Sequence, residues 1–224
     1  MNLLKGWIGE MKTSFYLWFS QSKNTYHRYH NLILPSKNGT TQIDHLLVSV
    51  YGLFIIETKN KKGCIFGSEH QENWTQSIYG NKYTFQNPLK QTFRQQAVLS
   101  EFLNIDKSKI QPVIYFVYDS VFATPLPQNV INYDVGNYIK TYQNVILSPE
   151  NVNQIDLVLK NHITNSTLST RDHLNSLRHR HTSTTVCPNC GSKLIERTSK
   201  KGVNASTKFL GCQNYPKCIF TKDF

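Results

Sequence analysis

Four cysteines near the C-terminal end constrain this chain more than any other feature. They read Cys187-Pro188-Asn189-Cys190 and, after 21 intervening residues, Cys212-Gln213-Asn214-Tyr215-Pro216-Lys217-Cys218. Two cysteines separated by two residues form a turn that points both sulfurs at one ion, and a second pair completes a tetrahedron around Zn²⁺. A module this small cannot bury enough apolar surface alone, so the metal supplies much of its folding energy. The competing explanation, four unrelated reduced cysteines, leaves the spacing unexplained, along with Pro188 inside the first pair and Gly191 directly after it. Zinc modules of this kind bind DNA, RNA or protein. The fifth cysteine, Cys64, stands apart and reads as a small buried hydrophobe. An odd count with this clustering fits a reducing compartment and excludes a disulfide framework.

Charge points toward the same end of the chain. Of the formal net +11, the stretch Thr170–Phe224 holds ten Lys or Arg against Asp172, Glu196 and Asp223, a net +7. An excess of this size fits a polyanionic partner, because each Lys or Arg near a phosphate releases condensed counterions. A basic surface with no partner is the alternative. The apolar N-terminal run is interrupted by Lys5, Glu10 and Lys12, so no signal peptide is expected. No stretch reaches the roughly 18 uncharged apolar residues of a membrane helix. The expected location is the cytoplasm, with no membrane association.

The pattern along the chain alternates strands and helices. Leu4, Trp7, Ile8, Met11, Phe15, Trp18 and Phe19 recur near a 3.6-residue period and predict a helix over 4–20. Residues 42–50 and 53–59 predict two strands joined by a tight turn at Tyr51–Gly52. Further strands are expected at Cys64–Phe66, Pro112–Tyr118 and Val145–Leu147, with a hairpin from Trp74 to Phe85 around Gly80–Asn81. Asn87–Pro88 opens a helix to about Leu103, and Pro149–Glu150 another to about His162. The polar stretch 164–185 reads as a short helix or linker. The expected organisation is a main domain over 4–119, an extension of the same α/β domain over 120–165, a linker over 166–184 and the zinc module over 185–224.

The acids are few, 14 in all, and three functional groups gather on the first hairpin. With Tyr51–Gly52 as the loop, Leu46 faces Glu57 and Asp44 faces Lys59. Directly opposed residues, and residues two apart on a strand, share a face. Asp44, Glu57 and Lys59 therefore project on one side at one end of the hairpin. Two carboxylates beside a lysine suit divalent-metal chemistry on a phosphodiester, with hard oxygens holding Mg²⁺ and the ammonium countering developing charge. The pattern equally fits a surface ion pair, although Glu57 and Lys59 end the apolar run Leu53–Ile56 and so sit at the edge of a core. His45 reads as a core histidine.

Two resemblances narrow these readings. The segment Phe209-Leu210-Gly211-Cys212 and Tyr215-Pro216-Lys217-Cys218 resembles the zinc ribbon at the C-terminus of bacterial type IA topoisomerases, over about 185–224. That likeness implies single-stranded or distorted DNA as partner. Phe209, Tyr215 and Phe220 would then offer stacking faces, with Lys200, Lys201, Lys208, Lys217 and Lys222 near the backbone. The aromatics serve equally as the module's own small core.

Upstream, Gly6-x-x-Gly9-Glu10, Gln42-Ile43-Asp44-His45, the run Gly52 to Asn60 containing Glu57-Thr58-Lys59, Gly63 and Asn87-Pro88-x-x-Gln91 together resemble the nuclease-related domain, NERD. This family is assigned to the PD-(D/E)xK nuclease-like superfamily. The resemblance implies a restriction-endonuclease-like mixed sheet flanked by helices. It implies Asp44 and Glu57 as metal ligands, Lys59 as the catalytic lysine, Glu10 as a third acid on the first helix and Gln91 as a supporting polar residue. The superfamily's usual Pro-Asp is replaced here by Ile43-Asp44, as in NERD sequences. The expected whole is a DNA-processing protein: a Mg²⁺-dependent nuclease hydrolysing phosphodiester bonds, with a ribbon that holds DNA and structural Zn²⁺. Two alternatives stand beside it. One is a non-catalytic nucleic-acid-binding protein with a vestigial site. The other is an adaptor whose ribbon contacts a replication or repair protein.

Overall fold

In a computed structural model, which describes residues 25–117, 119–199 and 206–223, the chain first runs through β1 (His27–Ser36), β2 (Gly39–Ser49), β3 (Gly52–Lys59) and β4 (Gly63–Phe66). The hairpin β5 (Asn73–Ile78) and β6 (Asn81–Gln86) leads into helix α1 (Pro88–Leu103), then β7 (Ile110–Phe116), β8 (Ser120–Phe122) and β9 (Val130–Ile131). Helices α2 (Val135–Lys140), α3 (Pro149–Asn165) and α4 (Thr170–Thr182) precede β10 (Leu194–Thr198), β11 (Lys208–Cys212) and β12 (Thr221–Lys222). The helix expected over 4–20, with Glu10, lies outside the described residues, as do Lys200 and Lys201.

The described residues form two units. One comprises those through Leu32 with Gln42–Thr167, and the other Ile33–Thr41 with Leu168–Phe224. In the first, β1-β2-β3-β7-β9 make a five-stranded sheet and β6-β5-β4-β8 a four-stranded one. Both are mixed: β2 and β3 pair antiparallel, whereas β3–β7, β7–β9 and β4–β8 are parallel. The expected α/β class, a mixed sheet flanked by helices, is therefore what the structure holds.

Strand β3 explains the core. Every residue of it but Lys59 is buried, the continuous apolar run of a strand covered on both faces. Phe54 and Ile56 pack with Leu47, Val113, Ile131, Val135 and Ile139, which places α2 on one face. Ile55 and Glu57 alternate to the other face, toward α1, whose buried residues are Pro88, Thr92, Gln95, Val98 and Leu99. A second cluster gathers Trp74, Ile65, Ile114, Phe116 and Val130 between the two sheets.

The strand expected at Val145–Leu147 does not form. The backbone amides of Ile146 and Leu147 both donate to Val50 O, at 2.9 and 3.1 Å. Successive amides in a strand point to opposite sides, so two converging on one carbonyl exclude a ladder there.

In the second unit, β10, β11 and β12 form an antiparallel sheet. The polar stretch before it is a 13-residue helix, opened by a capping box in which Ser169 and Asp172 bond reciprocally. Thr40 meets this helix through its hydroxyl, 3.0 Å from His173 Nδ1, and through its amide, which donates to Ser176 Oγ at 2.8 Å. Among the described residues no helix is long and apolar enough to cross a membrane.

Candidate functional site

The β2–β3 register is shifted by two residues from expectation. Ser49 pairs with Gly52, Leu46 with Ile55 and His45 with Ile56, so the loop is Val50–Tyr51. Ser49 causes this. Its hydroxyl donates to Gly52 O and accepts from Tyr51 N, closing the turn one residue early, while Gly52 takes a φ of +119° that a side chain resists. A shift of two keeps every side chain on its face. Asp44 therefore falls opposite Glu57 in the continued register instead of opposite Lys59. Asp44 Oδ2 accepts the Thr58 amide at 3.1 Å, tying the two strands at this end.

Glu57 is 2% exposed. A buried carboxylate is stable only when hydrogen-bonded, since its unpaired burial costs several kcal/mol. Here each oxygen has one donor. Lys59 Nζ donates to Oε1 at 2.5 Å and Gln95 Nε2 to Oε2 at 2.7 Å. Lys59 Nζ donates also to Gln91 Oε1 at 3.0 Å, and Gln95 Nε2 also to Gln42 O at 3.0 Å. Glu57, Lys59 and Gln91 are thus joined by hydrogen bonds between β3 and α1, with Asp44 tied to the same end of β3 through the Thr58 amide. Gln95 was not anticipated. Its signal was available, because it lies four residues beyond Gln91 and so on the same helix face.

The group suits a hard divalent cation by the chemistry of its donors. Asp44 and Glu57 offer carboxylate oxygens, and each Glu57 oxygen keeps one lone pair beyond its present hydrogen bond. Gln95 Oε1 is buried and finds no hydrogen-bond donor among the described residues, an orphaned acceptor that costs about 1–3 kcal/mol.

In the second unit, all four predicted cysteines converge. Their sulfurs lie within 4.8 Å of one another, with Cys187 and Cys218 Sγ 3.7 Å apart and Cys190 and Cys212 3.4 Å apart. Tetrahedral ligation with Zn–S near 2.3 Å sets sulfurs about 3.8 Å apart, so the set fits zinc. The cluster is the small core of the module, with Leu194 and Leu210 buried against it and Phe220 partly so. Gly191, at φ +76°, turns the first knuckle, and its amide donates to Cys187 O at 2.9 Å. Hydrogen bonding from Cys187 pulls the Cys218 thiol down to about 5, whereas burial pushes Cys212 up to about 11. Zinc requires all four as thiolates.

Around this centre the expected contact residues divide. Tyr215 is 62% exposed, and Lys217 is exposed beside it. The Arg197 guanidinium lies 5.6 Å from the Tyr215 ring centroid and donates to Cys212 O at 3.2 Å. Arg197, Phe209, Tyr215, Ile219 and Phe220 line a crevice of about 270 Å³. Gly211 leaves room for Arg197, since a Cβ there would come within 2.6 Å of its Cδ. Lys208 is engaged in a surface pair with Glu196 at 2.7 Å, and Lys222 Nζ donates to the carbonyls of Thr182 and Ser183 at the end of α4. Arg197 was missed, because its place over Gly211 emerges only from the β10–β11 register.

A mixed α/β unit with an acid–acid–lysine cluster, followed by a four-cysteine ribbon, defines a nuclease-like protein with a nucleic-acid-binding zinc module. Residues 5–117 match the family model of the nuclease-related domain, NERD, and residues 184–224 match that of the topoisomerase DNA binding C4 zinc finger. The chain belongs to the NERD family. It is 44% identical over 71 residues to an uncharacterized protein of Bacillus anthracis, covering 31% of this chain and 34% of that protein. It is 51% identical over 35 residues to DNA topoisomerase 1 of Archaeoglobus fulgidus, covering 16% of this chain and 5% of that enzyme. The chain thus spans about a third of the first relative and about a twentieth of the second. No solved structure matches it.

Proposed function

We propose that this protein is a metal-dependent nuclease that hydrolyses phosphodiester bonds in DNA, with its zinc ribbon holding the substrate. The observation that carries the reading is the Glu57–Lys59–Gln91 chain of hydrogen bonds beside Asp44, built into the buried end of β3. In this reading Asp44 and Glu57, with Glu10, hold Mg²⁺. When bound, such an ion supplies Lewis-acid stabilisation of phosphoryl charge and lowers the pKa of a coordinated water. Lys59 carries a positive charge held in place by two partners, available to the developing charge of the phosphoryl group at no reorganisation cost. The ribbon contributes Tyr215 as a stacking face, Arg197 and Lys217 as cations, and Phe220 at the crevice wall. DNA is favoured over RNA by the match to a DNA binding zinc finger.

The test is a cleavage panel of single-stranded, duplex and branched DNA with Mg²⁺ or Mn²⁺, comparing wild type with Glu57→Ala and Lys59→Ala. Each substitution is expected to lower the rate at least 100-fold, on the order of one lost preorganised electrostatic group. Cleavage that survives both substitutions would sink the catalytic assignment. Equal silence in all three proteins would favour a second reading, a nucleic-acid-binding protein with a vestigial site. The observation behind that second reading is the closed Glu57–Lys59 ion pair, which neutralises both groups against each other.

A further inference from the structure

We propose that Gln95 is the positioning residue of the Glu57 carboxylate, and that its Oε1 accepts a hydrogen bond from a water carried by the divalent cation. The inference rests on the metal-dependent reading above and deepens it.

The orientation of the Gln95 amide is settled by its surroundings. Its nitrogen faces Glu57 Oε2 at 2.7 Å and Gln42 O at 3.0 Å. Both are acceptors, so only the NH₂ end can face them, and its two protons are then fully used. The opposite end of the amide, Oε1, is buried without a donor among the described residues. The side chain is 1% exposed, so a compensating bulk water does not reach it freely. Buried acceptors are almost always satisfied, and an exception next to a candidate site asks what supplies the missing proton.

The chemistry of the site answers with a specific class of donor. Mg²⁺ dehydrates reluctantly and keeps several of its waters when held by one or two carboxylates. Those waters are polarised hydrogen-bond donors, and the residues that receive their protons fix the geometry of the whole coordination sphere. Gln95 touches a candidate ligand with one end and presents an open acceptor with the other. Helix α1 therefore delivers two amides one turn apart with opposite tasks. Gln91 accepts from Lys59, and Gln95 donates to Glu57.

The experiment is isothermal titration calorimetry of Mg²⁺ into the zinc-saturated full chain, with thermal unfolding of each metal-free variant alongside. Gln95→Met keeps volume but loses both polar ends. Gln95→Glu loses the donors toward Glu57 but keeps an acceptor. Both are expected to lower the metal-free Tm. Gln95→Met is expected to weaken Mg²⁺ binding by roughly 10–100-fold, the usual loss when an outer-shell partner is removed. Gln95→Glu is expected to weaken binding by less than Gln95→Met does, because it loses the donor that positions Glu57 but keeps the acceptor that completes the hydrated cation. Gln95→Asn withdraws the same amide by one methylene and is expected to weaken binding as Met does, which covers failure of the Met variant to fold. Wild-type affinity in both Met and Asn variants would overturn the proposal, as would equal losses in Met and Glu. A folded wild type that binds no Mg²⁺ would remove the metal-dependent reading itself, and this inference with it.

Discussion

Asp156 shows how much a single carboxylate organises in the first unit. It accepts from the Tyr29 hydroxyl, from His27 at 2.9 Å and from Lys160 at 2.7 Å, so α3 is tied to β1 through one side chain. Burial pushes its pKa up, but hydrogen bonds from Lys160 and Tyr29 and the charges of His27 and Lys160 outweigh it and hold the carboxyl below the usual Asp range. Lys160 is 63% exposed and is worth little on its own, so the buried Tyr29 bond carries most of the weight. A folded pKa below the unfolded one stabilises the protein above the ordinary Asp value, about 4, and that stability is lost as pH falls through the folded value. Asp156→Asn is therefore expected to cost about 2 kcal/mol at pH 7, as for a hydrogen bond to a charged group. The difference from wild type should narrow as pH falls below the ordinary Asp value and through the folded one. Urea denaturation at pH 7 and across a series of lower pH values checks this, and a gap independent of pH would assign the effect to shape, not charge.

At the scale of elements, helix α1 positions the candidate site, and Asn87 positions α1. This fully buried residue caps the helix by accepting from Leu89 N at 2.9 Å. Its amide nitrogen donates to Ser68 O, Glu69 O and Gln71 O, closing the loop before β5 onto the helix start. Asn87→Ala should lose about 1 kcal/mol for the cap and about as much again for the loop hydrogen bonds to Ser68, Glu69 and Gln71, about 2 kcal/mol in total. Under the metal-dependent function proposed above, the variant should also lose Mg²⁺ affinity, because Gln91 and Gln95 ride on the same helix. Chemical denaturation that shows less than about 1 kcal/mol of loss would contradict the role given to this residue. The start of α1 was legible in advance because Asn-Pro carries a local mechanism, a cap followed by a preset φ. The strands β2 and β3 were legible because their apolar runs are long. Their register was not, because it turned on one Ser49 hydroxyl whose bonding no pattern announces. The short elements β8, β9 and α2 were missed for a related reason: two to six residues are too few for a period, and long-range pairing forms them. Among site residues, those in named motifs were legible, whereas Gln95 and Arg197 acquire meaning only from what they touch.

For the molecule as a whole, the two units depend on different sources of stability, and this can be separated experimentally. The first unit is built on extended buried clusters around β3, Trp74 and Phe116. The ribbon has little beyond Leu194, Leu210 and its four cysteines, so its folding free energy is largely that of metal binding, on the order of 10–16 kcal/mol for structural zinc. All three tryptophans lie before residue 75 and none in the ribbon, so their fluorescence is silent on the ribbon, and buried Trp74 reports the first unit. A zinc chelator is expected to release one zinc per chain and to abolish nucleic-acid binding. The tryptophan-detected unfolding midpoint should move by no more than a few degrees. Cys212→Ser should reproduce that outcome without chelator, since three ligands leave an open position in a structural site. The basic tail makes the binding half of the prediction quantitative. Phosphate contacts weaken with salt in proportion to their number, so the metal-free protein should lose most of the wild-type salt slope along with affinity. A metal-free protein that binds DNA with an unchanged salt slope would move the nucleic-acid interface out of the ribbon. A tryptophan midpoint that falls with zinc release would show instead that the nuclease-like unit needs the ribbon to fold.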